Sequence, residues 1–354
     1  MHRIVELNDL DSSAPAWDRL ASRPGSPIGQ YIWAQACAEA LGDRYKLEVL
    51  VVGPRDRPVA IAPLAKRRRP LAPLELLGVH ELREPMDFLY ADAHAATALG
   101  QAIATLPGPL SLKRFPASSL ALAGVDDAYR KRGLVLNREA GACPYIDLGE
   151  QHTEPEQTLS ARRRSDLRRA QRRAAQLGAV SYETLAPSPS ELDPLLEEAF
   201  GVEAAGWKGR ARTALAHDAT RRAFYRRYAL AASSKGILRL TFMRIGGRAA
   251  AVQLAVETND RFWLLKVGYD EGFARCSPGS LLLLETIRHA ATRGLRSYEF
   301  LGDAESWTRP WTQTARPCVR LDAYPLRTSG VGLLATDAAT AAGRRLRGVV
   351  RNGA

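Results

Sequence analysis

Residues able to hold an anion and residues able to take up a proton stand close together in the last third of the chain. The hexapeptide Arg275-Cys276-Ser277-Pro278-Gly279-Ser280 follows a strand-like run and leads into an apolar helix. Ser277 suits a helix N-cap and Pro278 the first helical position, where its missing N–H costs nothing; Gly279 lets a ligand approach the backbone. The exposed amides of such a turn, with the helix dipole behind them, bind phosphate oxygens. Ser280 adds a hydroxyl and Arg275 a countercharge. The competing reading is a capped core helix, because Leu281–Leu284 are apolar nearly all round.

Farther on, Asp303 and Glu305 follow the apolar run SYEFL through Gly302. A carboxylate at a strand end can accept the proton of an attacking nucleophile, and Asp303 is the first choice of base. Ordinary Gly-Asp turn chemistry is the alternative. Cys276 is set aside as a nucleophile, since no histidine stands near it in sequence to activate it. The four cysteines are far apart and the six histidines never cluster at ligand spacing, so neither a disulfide framework nor a metal site is expected.

The elements that must position these residues come in two similar series. In the first half a short strand (RIVEL) and helices around Ala16–Leu20 and Tyr31–Leu41 lead into LEVLVVGPRDRPVAIAPLAKRR, which reads as a β-hairpin. MDFLYAD then reads as a strand, Ala93–Thr105 as a helix and LSLKRF as a strand. The second half repeats that order. ILRLTFMRIGGRAAAVQLAVET is strand, Gly-containing turn and strand; RFWLLKVGYD is a strand, Pro278–Arg293 a helix ended by Gly294, and SYEFLG a strand. The agreement in element order favours an internal duplication. The expected organisation is an N-terminal domain over 1–150, a C-terminal domain over 151–329 and a basic tail helix over 330–354.

A linker, GEQHTEPEQ, precedes an Arg-rich helix in which Leu167, Ala170, Ala174 and Leu177 form one narrow apolar stripe before Gly178. Arg162, Arg163, Arg164, Arg168, Arg169, Arg172 and Arg173 cover the rest, as either an anion-binding surface or a solvated helical face. The whole chain of 354 residues carries 50 Lys and Arg against 38 Asp and Glu, a net charge of +12. That balance favours an anionic partner such as a nucleotide phosphate, nucleic acid or a membrane surface. Hydrophobic residues at 46% and charged residues at 25% exclude a disordered chain. No apolar run is long enough to span a membrane, and the polar N-terminus lacks the core of a signal peptide. The expected location is cytoplasmic, with peripheral membrane contact open to the basic amphipathic tail.

The runs EEAFGVEAAGWKGRARTAL, WLLKVGYDEGFARCSPGSLLLLE and YEFLGDAESWTRPWT resemble the CelD-like and Fem-type group of tandem GNAT acyltransferases, well over about Leu159–Tyr324 and loosely before it. The resemblance implies an α/β fold of two GNAT-like domains, each a mixed, mostly antiparallel sheet flanked by helices. It also implies that the end of the RFWLLKVGYD strand, at Lys266, Val267 and Gly268, takes the pantetheine arm of acyl-CoA, with the pyrophosphate at Arg275, Ser277, Gly279 and Ser280. In the usual GNAT signature the position of Pro278 is Gly and that of Ser280 Gly or Ala, so this chain departs from it. Trp207 and Lys208 form the Trp-Lys pair of the group, an aromatic wall beside an ammonium that suits an anionic sugar. Trp307 joins them at the acceptor, although the Lys that should follow it is Thr308. Tyr269 is placed to protonate a leaving thiolate.

The implied activity is direct transfer of an acyl group from acyl-CoA, as co-substrate, to an amino group on a sugar or surface-polysaccharide precursor. Two alternatives stay open. One is a Fem-type transferase drawing on aminoacyl-tRNA and acting on a cell-wall precursor. The other is a non-catalytic scaffold in a polysaccharide-synthesis assembly.

Overall fold

The structure, a computed structural model, describes residues 2–5, 14–22, 25–54, 56–130, 132–206 and 215–337. In chain order its first half contains β1 (His2–Val5), α1 (Ala14–Ala21), α2 (Tyr31–Leu41), β2 (Tyr45–Val52), β3 (Ala60–Arg67), β4 (Leu74–Leu76), α3 (Val79–Leu82), β5 (Leu89–Tyr90), α4 (Ala93–Ile103), β6 (Leu110–Pro116), α5 (Leu120–Arg130) and β7 (Gly133–Asp147). The second half contains α6 (Ala161–Leu177), β8 (Val180–Leu185), α7 (Leu192–Ala204), α8 (Ala219–Ser234), β9 (Leu238–Ile245), β10 (Arg248–Thr258), β11 (Arg261–Tyr269), α9 (Pro278–Thr292), β12 (Ser297–Glu299) and β13 (Ala315–Pro325). Residues 328–337 are helical, and 338–354, most of the expected tail helix, lie outside the described residues.

The chain divides into two compact units. One draws on residues up to 24, 41–141 and from 317 onward; the other on 25–40 and 142–316. The expected boundary after residue 150 therefore meets a contact boundary after Gly141, with the 25–40 stretch belonging to the second unit. Periodicity along the chain carries no signal for such an exchange, because it reports a segment's buried face and not the partner that buries it.

In the first unit β1, β2 and β3 form an antiparallel meander, β4 pairs antiparallel with β3 and parallel with β6, and residues 318–323 of β13 pair antiparallel with β6. The expected strand MDFLYAD is shorter than its sequence suggests, since only Leu89 and Tyr90 pair, against Ile61 and Ala60 of β3. Just before them Asp87 draws the chain off the ladder: its Oδ1 accepts from Phe88 N–H and from the Ser119 hydroxyl, both at 2.7 Å. Together β4 and β5 occupy the place of one strand along β3, interrupted by residues 77–88.

The second unit holds β8, β9, β10 and β11 as antiparallel neighbours, β11 parallel to β12, and β12 antiparallel to Tyr145–Asp147 of β7. Gly246 and Gly247, at φ 57° and 79°, close the β9–β10 hairpin in the conformation that a two-residue primed turn requires. Residues 250–257 of β10 are buried without alternation, as expected of a strand covered on both faces. One face is covered by α9, whose Leu281, Leu282, Leu283, Leu284 and Ile287 are buried and whose end is marked by Gly294 at φ 71°. Each such side chain contributes about 1.5–3 kcal/mol relative to exposure. Hairpin, strand, helix and parallel strand recur in the same order in both units, which agrees with the expected duplication.

Candidate functional site

The strands β11 and β12 pair over three residues only, Arg261, Phe262 and Trp263 with Ser297, Tyr298 and Glu299. Beyond that point Phe300 N–H turns to the carbonyl of Pro144 and Leu301 adopts φ 61°, while β11 continues to Tyr269 with β10 as its only strand partner among the described residues. The register of β11 against β10 slips by one residue at Leu265. Such a bulge adds local twist and releases an edge from its neighbour. It also resets the alternation of side chains. Leu264 and Val267 both pack toward α9, whereas the Lys266 ammonium lies 4.8 Å from the centre of the Tyr225 ring on α8. Lys266 and Tyr269, expected along one strand at one cleft, thus lie on opposite faces of the sheet.

The half-buried second part of β11, Lys266–Tyr269, is flanked by the end of α7. A Cβ on Gly268 would stand 2.8 Å from Glu203 Cα, and one on Gly206 would stand 2.7 Å from the Tyr269 carbonyl oxygen, so both positions need glycine for this approach. Glu203 is buried, and its Oε2 accepts from Leu215 N–H at 3.0 Å. Sequence reasoning missed this residue; a carboxylate at the end of an apolar helix, next to the Gly206-Trp207 break, is the signal that was there to find. Trp207 and Lys208 themselves lie outside the described residues.

At the end of β11 the chain passes through a 3-10 turn, Glu271–Cys276, capped by the Asp270 side chain at 2.8 Å from Gly272 N. Ser277 then takes the left-handed conformation, φ 46° and ψ 50°, and its side chain makes no cap hydrogen bond, contrary to the N-cap role read from the sequence. Its carbonyl instead accepts from Ser280 N at 3.0 Å and Leu281 N at 3.2 Å. Of the first-turn amides only that of Gly279 has no acceptor among the described residues. The tight bend explains the change: left-handed backbone at the cap curls the chain so that its carbonyl, not its hydroxyl, faces the following amides.

What the corner loses in amides it gains in guanidinium. Arg163 of α6 donates from Nη2 to Ser280 Oγ at 3.1 Å, its Cζ lies 5.5 Å from the Trp311 ring centre, and its buried Nε has no hydrogen-bond partner. Arg173 donates to the Arg275 carbonyl at 3.2 Å, which fixes α6 to the 3-10 turn, while the Arg275 side chain is exposed. The helix α6 is oriented by Ser160, whose hydroxyl accepts from Arg163 N, and by buried Leu167, Ala170 and Ala174; Leu177, expected in that stripe, is exposed. Tyr269 borders the same corner, 3.7 Å from where a Gly279 Cβ would be. Cys276 is buried beneath it, which closes the covalent route already set aside.

The loop after β12 supplies the remaining groups. Asp303 and Glu305 are both exposed, and Ala304 N–H bonds to the Ala142 carbonyl at 3.1 Å. Glu305 Oε2 accepts from the Trp307 indole N–H at 3.0 Å, a contact that orients the ring. Trp307 meets Phe300 edge-on at 5.7 Å and remains 39% exposed, a platform open on one side. Thr308, where a Lys was expected, is buried and bonds to the Glu305 carbonyl at 2.9 Å, closing the turn. Among the described residues no group of three metal-ligating side chains occurs, and no helix is long and apolar enough to cross a membrane.

Residues 161–309 match the family model described as "Acetyltransferase (GNAT) domain". Two solved structures share the fold across nearly the whole chain. The first is the C-terminal domain (DUF2156) of a putative lysylphosphatidylglycerol synthetase from Agrobacterium fabrum, at TM-score 0.56 and 11% identity, covering 93% of this chain and 95% of that one. The second is FemX, at TM-score 0.58 and 12% identity, covering 92% and 97%. No curated protein matches by sequence. The match to the GNAT domain lies within the second unit, and across nearly the whole chain the fold is the one FemX also has.

Proposed function

We propose that the second unit transfers an acyl group from acyl-CoA directly to an amino group on a sugar or surface-polysaccharide precursor. The observation that carries this reading is the parting of β11 from β12 at Trp263, on a strand that runs on to the α9 corner where Arg163 meets Ser280. In this reading the extended, amide-containing arm of the donor runs along β11 at Lys266, Val267 and Gly268, as an added strand would. The corner fits a diphosphate: one open amide at Gly279, the Ser280 hydroxyl and a fixed guanidinium with a buried, unpartnered Nε.

In the reaction the acceptor amine attacks the thioester carbonyl, the tetrahedral adduct collapses, the C–S bond breaks and the thiolate departs. The amine proton must be removed and the thiolate proton supplied. Asp303 is the base in this reading, and Tyr269, at the end of the strand that holds the thioester, donates to the sulfur. Trp307, held by Glu305, gives the acceptor sugar an aromatic face. Trp207 and Lys208 complete the acceptor side.

One observation favours a second donor. Arg162, Arg168, Arg169 and Arg172 are exposed on α6, the helix that supplies Arg163 to the corner. A Fem-type reaction with aminoacyl-tRNA would use them against backbone phosphates. Thermal shift with a panel of CoA thioesters and with charged tRNA separates the two. Acyl-CoA chemistry gives stabilisation by a thioester that charge reversal at Arg168, Arg169 and Arg172 leaves intact; tRNA chemistry gives salt-sensitive stabilisation that the reversal abolishes. If neither ligand shifts the melting temperature and an Asp303→Ala, Glu305→Ala variant complements fully, the chain is a scaffold and the transferase reading falls.

A further inference from the structure

The first unit exposes apolar side chains where a solitary soluble domain has no use for them. Leu71 is 49% exposed and sits at φ 54°, a left-handed conformation unfavourable for leucine, at the tip of the β3–β4 connection. Its side chain lies over Gly332 in the 328–337 helix, 3.8 Å from where a Cβ there would be. Next to Gly332, Val331 is 55% exposed, and Leu326, just before the helix begins, is 78% exposed. Exposed hydrophobics scattered singly are normal, but these three gather on two segments that touch.

The charges around them are of one sign. Arg68 and Arg69 precede Leu71 and are exposed, Arg327 follows Leu326 and is exposed, and exposed Arg132 accepts the Leu326 N–H through its carbonyl at 2.9 Å. Neither 66–74 nor 326–336 contains an acidic residue. The carboxylates that border these two stretches are engaged: Glu75 is buried beside Arg67 at 3.8 Å, and Asp337 accepts from the Tyr324 hydroxyl at 2.8 Å. Past it the sequence adds Arg344, Arg345, Arg347 and Arg351 and no acidic side chain. Leucine and valine between arginines complement a surface that is apolar beneath and anionic on top, as a bilayer of anionic lipids is and a nucleic acid is not. From this juxtaposition we infer that Leu71, Leu326 and Val331, with Arg68, Arg69 and Arg327, dock the first unit on an anionic lipid bilayer. The inference stands apart from the donor chemistry of the second unit and does not rest on it.

Co-sedimentation of the full chain with vesicles tests it. The protein should pellet with vesicles containing phosphatidylglycerol and stay in solution with phosphatidylcholine alone, and raised salt should weaken binding. A Leu71→Ser, Leu326→Ser, Val331→Ser variant and an Arg68→Glu, Arg69→Glu variant should each lose at least tenfold in apparent affinity while melting as the wild type does. Should the triple variant fail to fold, the arginine variant decides alone. Any of five results overturns the inference: no binding to anionic vesicles, equal binding to both lipids, or undiminished binding by the folded variants, which would move attachment elsewhere in the chain. The fourth is a wild-type dimer that the triple variant dissociates, which would assign the patch to a second copy. Binding of duplex RNA that the arginine variant loses and the apolar variant keeps also counts against a bilayer.

Discussion

Arg163 and Ser280 are 117 positions apart in the chain and meet at 3.1 Å, which puts the N-terminal turn of the Arg-rich helix against that of the helix following β11. Two features that look independent in the sequence, a basic helix and a Ser-Pro-Gly-Ser turn, thus meet at one corner, the seat proposed for the phosphates of the donor.

Arg163→Ala should lower affinity for a phosphate-bearing donor by roughly 10- to 100-fold, the size of one charge-assisted hydrogen bond of about 1.5–3 kcal/mol. Arg163→Lys should recover only part of this, since an ammonium cannot serve Ser280 and a phosphate with one planar fork. Titration calorimetry with acyl-CoA reads the difference, and equal affinities across the three proteins would remove Arg163 from the site.

Two glycines should respond in opposite ways. Gly268→Ala brings a methyl within 2.8 Å of Glu203 Cα and should cost about 1–3 kcal/mol of stability in urea melts as α7 is driven off β11. Gly279→Ala finds only Tyr269, at 3.7 Å, so stability should hold while the open amide beside it becomes harder for a donor to reach. A Gly279→Ala variant with wild-type donor affinity would contradict the assignment of that amide.

The two carboxylates of the 303–305 loop should separate kinetically. Asp303→Asn should reduce kcat by about 10²–10⁴ with little change in acceptor KM, the loss expected for a general base. Glu305→Ala should instead raise acceptor KM, because Trp307 loses the 3.0 Å contact that orients it, and Glu305→Gln should restore much of the loss through its carbonyl oxygen. If Asp303→Asn altered KM alone, its role would be binding.

Acid should affect the first unit through Asp87. Burial pushes its carboxyl up from 3.8 to about 6, against the lowering effect of the Ser119 and Phe88 hydrogen bonds. The folded form then holds a proton that the unfolded chain releases, so this group's contribution is most favourable at low pH and declines as pH rises from about 4 to 6. Two pH units correspond to roughly 3 kcal/mol. Asp87→Asn should therefore gain stability relative to wild type between pH 4 and 7, by a margin that grows with pH. A constant margin would show that Asp87 titrates normally.

Much of this was legible from composition and periodicity. The β9–β10 hairpin, β11, α9 and β12 sit where the Gly-Gly turn, the apolar runs, the Ser-Pro start and Gly294 put them, because each depends on local backbone and one buried face. The strands β7, β8 and β13 and the helices α5 and α8 carry weaker patterns and were not anticipated. The first ten residues of β7 are exposed or half-buried, so no apolar run betrays the strand. At the site, residue types were readable and their partners were not. Nothing local in Glu305 says that it will take the Trp307 N–H, and nothing in Lys266 reveals the bulge at Leu265 that turns it toward Tyr225.

The duplicated corner of the first unit has a different fate. There α4 is capped by Asp92, whose carboxylate accepts from Ala95 N at 2.8 Å, and a whole excursion, residues 77–88, replaces the single-residue slip of β11. A built-in anion already sits where an incoming one would have to go. If the second unit seats a phosphate-bearing donor as proposed, this corner of the first unit holds no equivalent seat, and the repeat is left free to take on a task unrelated to the donor.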